Sequence, residues 1–390
     1  MFLRHLRRDV WEESDWKIEM SADKPIRVAQ VMGKMLGGGV EAVVMNYYRY
    51  IDHSQVQFDY LVDEDSTLVP REEIEGLGGR VFEIPPYQHV FEYQRELQRL
   101  FRQEGWRIVH SHVNALSVFS LRAAKKAGIP VRIAHSHSTS GKGEHIKNAV
   151  KSILKTQANR YPTHRLACSR YAGEWLFGKG ADFEVVYNAV DLSKYAIDVA
   201  ARARIRCELG VSDNQLLIGH IGRFVDQKNH TFLLQIFKEI LATSPDAVLA
   251  LAGAGPLVEQ TKRQASNLGI AESVRFLGQR HDSPALYQAF DVFCLPSIYE
   301  GLPVVGVECQ ASGTPILAST EVTPETAFTS LMEFEPLSSS PRSWARHLLA
   351  MRGKEPVVSD ADSLAAFDIR CAAADLLDFY VSAIFEEGAR

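Results

Sequence analysis

From Ile26 onward the chain alternates two kinds of apolar pattern. Short runs such as "IRVAQVM", "QFDYLV", "RVFEI", "RIVHSH", "VRIAHS", "RLACS" and "FEVVY" are rich in β-branched and aromatic residues. Such runs suit strands buried on both faces. Between most of them apolar positions recur at helical spacing, over 40–51, 90–103, 115–127 and 146–160. This rhythm predicts a parallel sheet covered by helices. It restarts with "LLIGHIG", "AVLALAG", "SVRFLG", "DVFCLP" and "TPILAS", and helices are expected over 228–241, 256–268 and 303–311. Between the two series, "NAVDLSKYAIDVAARARIRCELG" reads as a turn and a charged helical segment, placing a boundary near residues 190–205. The pattern therefore predicts two Rossmann-like α/β domains facing a central cleft, over 25–195 and 196–362. A final helical segment, 363–390, is expected to pack back on the first domain, and residues 1–24 to form a disordered extension.

Composition narrows the class. A length of 390 residues exceeds one typical core and fits the two-domain reading. With 46% hydrophobic and 23% charged residues the chain is ordinary for a globular protein, and a net charge of −5 argues against a nucleic-acid binder held by bulk positive charge. No apolar run approaches the ~18 residues that span a bilayer. The basic start "MFLRHLRRDV" lacks the apolar core of a secretory signal, so a cytoplasmic location is expected. Five cysteines form no C-x-x-C pair, and Cys294 and Cys309 stand in apolar runs, as buried thiols of a reducing compartment would.

Candidate chemistry concentrates at strand ends, where open α/β sheets bind ligands. In "HIGRFVDQKNH", Arg223 and Lys228 flank the start of a helix, and two cations there can hold a diphosphate. In "LAGAGPL", Gly253 and Gly255 either let backbone approach a ligand or simply form a turn. In "PSIYEGLPVVGVECQASGTP", Glu300 stands before a helix with Pro303 expected at its first position, and Glu308 lies inside it. Carboxylates so placed suit a polyhydroxylated ligand, with the amides of Gly301 and Leu302 ready for phosphate or hydroxyl oxygens. The plainer alternative is an electrostatic cap at Glu300 and a solvated Glu308.

Taken together, "GRFVDQKN", "LAGAGPL", "VRFLGQ" and "YEGLPVVGVECQASGTPILAS" resemble the retaining GT-B glycosyltransferases of family 4, whose E-x7-E motif Glu300 and Glu308 match. The resemblance runs from about Lys24 to the C-terminal helix, and it is similar to the bacterial exopolysaccharide and cell-surface polysaccharide transferases. It implies a nucleoside-diphosphate-sugar donor, UDP- or GDP-linked, in the second domain. It further implies that Arg223 and Lys228 neutralise the diphosphate and that Glu308 binds the ribose. Glu300, with backbone of Gly301, Leu302 and Pro303, would hold the transferred sugar, and backbone at Leu277 and Gly278 would meet the base. No cofactor and no obligatory metal are implied. A lipid-linked or saccharide acceptor is.

In the first half, "MLGGGVEAVV" places Gly37, Gly38 and Gly39 before a helix whose N-terminus can face phosphate, matching the family's glycine loop. Glu41 in the first turn suits the helix dipole. A rival reading takes Gly37-x-Gly39-x-x-Ala42 with Asp63 as a dinucleotide fingerprint, which makes an NAD-dependent oxidoreductase the alternative enzyme class. The gap between strand and glycines is too long for that turn. A sugar-nucleotide-binding module without catalysis is the other alternative. "VHSHVN" and "AHSHST" end adjacent strands with His110, His112, His135 and His137. By family analogy His112 and His137 lie near the reacting carbon as catalytic candidates. Lastly, Lys142, Lys147, Lys151, Lys155, Arg160 and Arg165 make 142–165 a basic amphipathic stretch. It fits either peripheral contact with the inner face of a membrane or a helix packed on its own sheet with solvated lysines.

Overall fold

The computed structural model describes residues 24–137, 154–355, 357 and 361–388. The strands of the first half are β1 (Ile26–Gly33), β2 (Val56–Asp63), β3 (Arg80–Ile84), β4 (Ile108–Ser111), β5 (Val131–Ser136), β6 (His164–Ala167) and β7 (Glu184–Val185). They form one parallel sheet in the order β3-β2-β1-β4-β5-β6-β7. The second half builds β8 (Leu217–Ile221), β9 (Val248–Ala252), β10 (Val274–Gly278), β11 (Val292–Leu295), β12 (Ile316–Ser319) and β13 (Met332–Glu335). These form a second parallel sheet, β10-β9-β8-β11-β12-β13. The strands are buried on both faces because helices cover each side, which is why their sequences read as continuous apolar runs.

In both sheets the order reverses beside the first strand, between β1 and β4 and between β8 and β11. Crossover helices leave in opposite directions there, opening a crevice beyond the strand tips. The glycine loop follows β1 and the histidines end β4 and β5. Arg223 and Lys228 follow β8, and Glu300 follows β11. The candidate residues thus flank the two switch points.

Several boundaries differ from the sequence pattern. The helix expected from Pro303 is Val304–Ala311, with Pro303 as its extended N-cap residue rather than its first turn. The helix expected from Lys228 is His230–Leu241, preceded by a tight turn at Asp226–Lys228 that ends on Asn229 at φ +55°. The strand β13 and the helices Arg71–Gly76 and Ser283–Ala289 are short, and they and the longer amphipathic helix Pro341–Met351 were not anticipated. Of the basic stretch, Lys142, Lys147 and Lys151 lie outside the described residues. Its described end packs on the protein itself: Leu154 contacts the first domain's core, and the Lys155 ammonium lies 5.1 Å from the Trp175 ring centroid. No helix among the described residues is long and apolar enough to cross a membrane.

The chain passes between the domains twice, and the two passages run side by side. Val190 and Asp368 form a parallel bridge, with Val190 N–H donating to Phe367 O and Ile369 N–H to Val190 O. Leu364 and Phe367 pack with the second domain's core, whereas Ile369, Ala373, Leu376 and Tyr380 belong to the core of the first. The final helix, Ile369–Gly388, therefore rests on the first sheet beside the helix Gly39–Tyr50.

One buried charge holds the far edge of the first sheet. Asp59 on β2 accepts from Arg27 Nε at 2.8 Å, Arg80 Nε at 3.0 Å and Trp106 Nε1 at 2.7 Å. Burial pushes its pKa up, but the donors from Arg27, Arg80 and Trp106 outweigh burial and hold it below the usual carboxylate range. Asp59→Ala leaves the buried Trp106 Nε1–H and two half-exposed guanidinium groups without their shared acceptor and should cost about 1–3 kcal/mol. Urea unfolding measures this, and a loss below about 1 kcal/mol would show that the cluster is not structural.

Candidate functional site

The floor of the cleft in the second domain is built from two strand-end loops. The turn after β8 delivers Gln227, Lys228 and Asn229 against the loop after β11. Ile298 N–H donates to Gln227 O at 2.8 Å, Asn229 Nδ2 to Pro296 O at 3.1 Å and Gln227 Nε2 to Tyr299 O at 3.0 Å. At this seam Lys228 Nζ meets Glu300 Oε1 at 2.6 Å, while Gln227 Nε2 reaches Glu300 Oε2 at 3.1 Å. The side chains are only 14% and 9% exposed. The sequence pattern assigned the cation to phosphate and the acid to sugar as separate tasks. The structure joins them as one ion pair, so a ligand entering here exchanges with that pair.

Glu308 is not the solvated carboxylate of the plainer reading. Its oxygens accept from Tyr195 Oη at 2.7 Å and Tyr287 Oη at 2.8 Å, and burial raises its pKa against the lowering effect of those two bonds. Tyr195 lies in the turn Leu192–Tyr195, and Tyr287 in the helix Ser283–Ala289. Neither was legible as a partner, since "LSKY" and "ALYQAF" carry no spacing that ties them to Glu308.

The glycines separate by role. A Cβ on Gly253 would fall 2.0 Å from Gly222 O, and one on Gly255 2.5 Å from Phe224 O. These positions let the loops after β8 and β9 touch, a packing requirement. Gly253 N–H also donates to Gly278 O at 2.7 Å, which ties the loop beside Leu277 to the same corner. Across the cleft, Gly37 takes φ +75° and Gly38 caps the helix Gly39–Tyr50. Glu41 reaches back to the amides of Leu36 and Gly38, confirming its structural role. The loop faces the second domain directly: a Cβ on Gly38 would lie 3.6 Å from Arg223 Nη1, and one on Gly37 3.5 Å from Gln279 Nε2. Arg223 is exposed and has no acid partner among the described residues. The segment Gly301–Pro303 is buried, and first-domain side chains hold its carbonyls, with Ser169 Oγ donating to Gly301 O and Asn188 Nδ2 to Leu302 O. Glu325 in turn caps the helix Arg170–Phe177 through the amides of Arg170 and Tyr171.

Strand alternation puts Ile108, His110 and His112 on one face, and Val131, Ile133, His135 and His137 on the same face of the next strand. All four histidines are buried. The two pairs, at the ends of adjacent strands, form one cluster: His110 Nε2 lies 3.0 Å from His135 Nδ1, and His112 Nδ1 2.8 Å from His137 Nε2. Burial pushes the pKa of His110, His112 and His135 well down, and that of His137 to about 3. Nitrogens of His110, His112 and His135 lie within 4.8 Å of one another, the one grouping of metal-ligand type among the described residues. Asp63, the acid of the dinucleotide alternative, is buried, and its pKa is raised to about 6 by burial and then by Asp65.

Two Rossmann-like domains with polar groups converging on a shared cleft define the GT-B class. The fold matches solved members over nearly its whole length. One is Anabaena HepE in complex with UDP-glucose (TM-score 0.69, 18% identity, 93% of this chain and 98% of that one). Another is WaaG, a glycosyltransferase involved in lipopolysaccharide biosynthesis (TM-score 0.65, 13% identity, 91% and 95%). The family model "Glycosyltransferase Family 4" matches residues 37–194, and "Glycosyl transferases group 1" matches 201–329. A Bacillus subtilis (strain 168) protein bearing the name glycosyltransferase EpsF is 35% identical over 370 residues, covering 91% of this chain and 96% of its own. The chain belongs to the family 4 (group 1) glycosyltransferases. An Escherichia coli relative, 25% identical over 77% of this chain and 80% of its own, is named UDP-Gal:alpha-D-GlcNAc-diphosphoundecaprenol alpha-1,3-galactosyltransferase.

Buried neutral histidines make stability depend on pH. Burial also lowers His220 to about 4 and His230 to about 2. Below the ordinary value of 6.5 the unfolded chain takes up protons that these six folded imidazoles refuse. The stability is therefore present above pH 6.5 and is lost as pH falls toward the folded values, by about 1 kcal/mol per group at pH 5.5. His347 opposes the trend: burial lowers its pKa, but bonds to Glu333 and Glu335 outweigh this and raise it. Urea midpoints should drop steeply from pH 7 to pH 5, and a flat profile would contradict the burial.

Proposed function

We propose that the chain transfers a sugar from a nucleoside-diphosphate-sugar to an acceptor hydroxyl with retention of anomeric configuration, in the assembly of a lipid-linked cell-surface polysaccharide. The observation that carries this reading is the Lys228–Glu300 pair at the β8/β11 switch point, facing the glycine loop with Arg223 between. A diphosphate that displaces the Arg223 guanidinium from its contact with the Gly37–Gly39 loop takes both Arg223 and Lys228 as counter-ions. Glu300 is then released to accept hydrogen bonds from the transferred sugar, with the N-terminus of the helix Val304–Ala311 beside it. Glu308, oriented by Tyr195 and Tyr287, retains lone pairs for the ribose hydroxyls. Backbone at Leu277 and Gly278 meets the base. In this reading the two cations carry the leaving-group charge, and no metal is required.

The acceptor oxygen attacks the anomeric carbon from the side of the departing diphosphate. The bond from that carbon to the phosphate oxygen breaks, and the acceptor's proton passes to the phosphate oxygen. His137, neutral in the first domain, keeps one ring nitrogen to accept from a sugar hydroxyl. His112, whose two nitrogens are bonded to Gln30 and His137, orients it rather than touching the sugar. Neither ring places positive charge near the developing oxocarbenium centre. Closure of the cleft limits hydrolysis of the donor. The Escherichia coli relative's name, with a UDP-sugar donor and a diphosphoundecaprenol acceptor, supports the donor class and the lipid-linked acceptor. HepE's complex with UDP-glucose supports the donor class. The basic stretch 142–165 would bring such an acceptor's membrane within reach. Family membership leaves the dinucleotide oxidoreductase without support.

A thermal-shift panel of UDP, GDP, ADP and their sugar conjugates tests the donor. Saturation at about 100 Kd should add roughly 2.7 kcal/mol of stability, and silence across the panel would sink the donor assignment. Glu300→Ala should lower transfer by at least about a hundredfold, on the order of 2.7–4 kcal/mol in the barrier. Tm should also fall, because Lys228 loses its acid in a seam where its side chain is only 14% exposed, so transfer is compared at a temperature where circular dichroism shows the variant folded. Unaltered turnover would remove Glu300 from the mechanism.

A further inference from the structure

The histidine cluster is part of a longer relay whose proton positions can be deduced. Gln30 on β1 and Tyr380 on the C-terminal helix complete it. Gln30 Nε2 donates to Tyr380 Oη at 3.2 Å, and Tyr380 Oη lies 2.7 Å from His110 Nδ1. His112 Nε2 lies 2.8 Å from Gln30 Oε1. With the two histidine–histidine bonds these contacts form one unbranched chain from His135, through His110, Tyr380, Gln30 and His112, to His137. Its two outer nitrogens, His135 Nε2 and His137 Nδ1, are buried and have no partner among the described residues.

A neutral imidazole carries one N–H, and burial keeps all four neutral. The Gln30 amide nitrogen can only donate, so the Tyr380 hydroxyl hydrogen is free to point at His110 Nδ1. That nitrogen is then bare, and the proton of His110 sits on Nε2, donating to His135 Nδ1. His135 in turn keeps its proton on Nε2. On the other arm Gln30 Oε1 can only accept, so His112 is protonated at Nε2 and bare at Nδ1. His137 must then donate from Nε2, leaving its Nδ1 bare. With the Gln30 amide placed this way round, reversing either histidine–histidine link sets two hydrogens or two lone pairs against each other. Turning the amide over would instead reverse every link together into four Nδ1–H forms.

We propose that Gln30 and Tyr380 are positioning residues that lock His110, His112, His135 and His137 together as Nε2–H tautomers. The relay's two ends, a donor at His135 Nε2 and an acceptor at His137 Nδ1, form a binding site for one water. The two rings stack with centroids 3.9 Å apart and both line a cavity of ≈ 10 Å³, which is about the smallest space that admits a water. A water accepts from one end and donates to the other, satisfying both. Nitrogens of His110, His112 and His135 resemble a metal-ligand set, but His110 is already bonded to Tyr380 and His135, and His112 to Gln30 and His137. The consequence for chemistry rests on the transferase reading, in which His137 lies near the donor sugar. There Gln30 on β1, whose amide nitrogen is engaged by Tyr380 of the returning helix, decides through His112 that His137 turns its N–H inward and keeps Nδ1 as an acceptor.

The tautomers are read without any donor, so failure here is distinguishable from failure of the proposed transfer. In full-length protein labelled with 15N-histidine, long-range 1H–15N correlation at pH 7.5 should show all four imidazoles as neutral Nε2–H forms, assigned by single substitutions. Gln30→Glu presents two acceptors at the centre of the chain. Tyr380 must then donate to residue 30 and accept from His110, so His110 and His135 should switch to Nδ1–H while His112 and His137 stay unchanged. Tyr380→Phe should release only the His110–His135 arm into tautomer exchange, with Tm confirming that the fold persists. An Nδ1–H form or an imidazolium at any of the four in the native protein would overturn the proposal. So would a stoichiometric transition metal retained through purification, or a Gln30→Glu spectrum identical to the native one.

Discussion

The contact between Lys228 and Glu300 organises the cleft. It joins loops from β8 and β11, the two strands that flank the switch point of the second sheet, in a seam only slightly open to solvent. Taking both charges out of water costs much of what their attraction returns, so such a pair contributes little net stability. A pair of well-packed apolar residues would serve the fold at least as well. In the function proposed above, the pair provides a cation and an acid held ready, each to exchange its partner for one part of an incoming ligand. Gln227 and Asn229, bonded to the backbone of the opposing loop, keep the seam in register.

Around that seam the domains are tied by contacts that work only at one relative orientation. Ser169 and Asn188 hold the carbonyls of Gly301 and Leu302, and Glu325 caps a helix of the first domain. The backbone that leads into the helix Val304–Ala311 is thus positioned partly by the domain across the cleft. The bridge between Val190 and Asp368 brings both interdomain passages to one place. Beyond it the last helix returns to the first sheet and delivers Tyr380 to the buried histidines. A residue near the chain's end therefore takes part in a network rooted in its first strand.

Some of this was legible in the residues. Strand runs and helical spacing announced two parallel α/β sheets because burial on both faces demands continuous apolar segments. The E-x7-E spacing, the cations after β8 and the glycines after β1 were visible as chemistry at strand ends. Local pattern was poorer where an element is short or capped by chance. Pro303 looked like a first helical residue yet stands outside the helix, and Met332–Glu335 lacked the length to read as a strand.

The sequence by itself determined which side chains reach the cleft, because strand alternation and the position of a residue after its strand follow from the local period alone. It could not determine what each one meets. That Lys228 binds Glu300, that Glu308 rests on Tyr195 and Tyr287, and that four histidines close on Gln30 and Tyr380 are facts of packing. These partners lie far apart along the chain, and hydrogen-bond geometry is short-ranged and directional. Only the folded arrangement of both sheets and the returning helix brings such groups within reach.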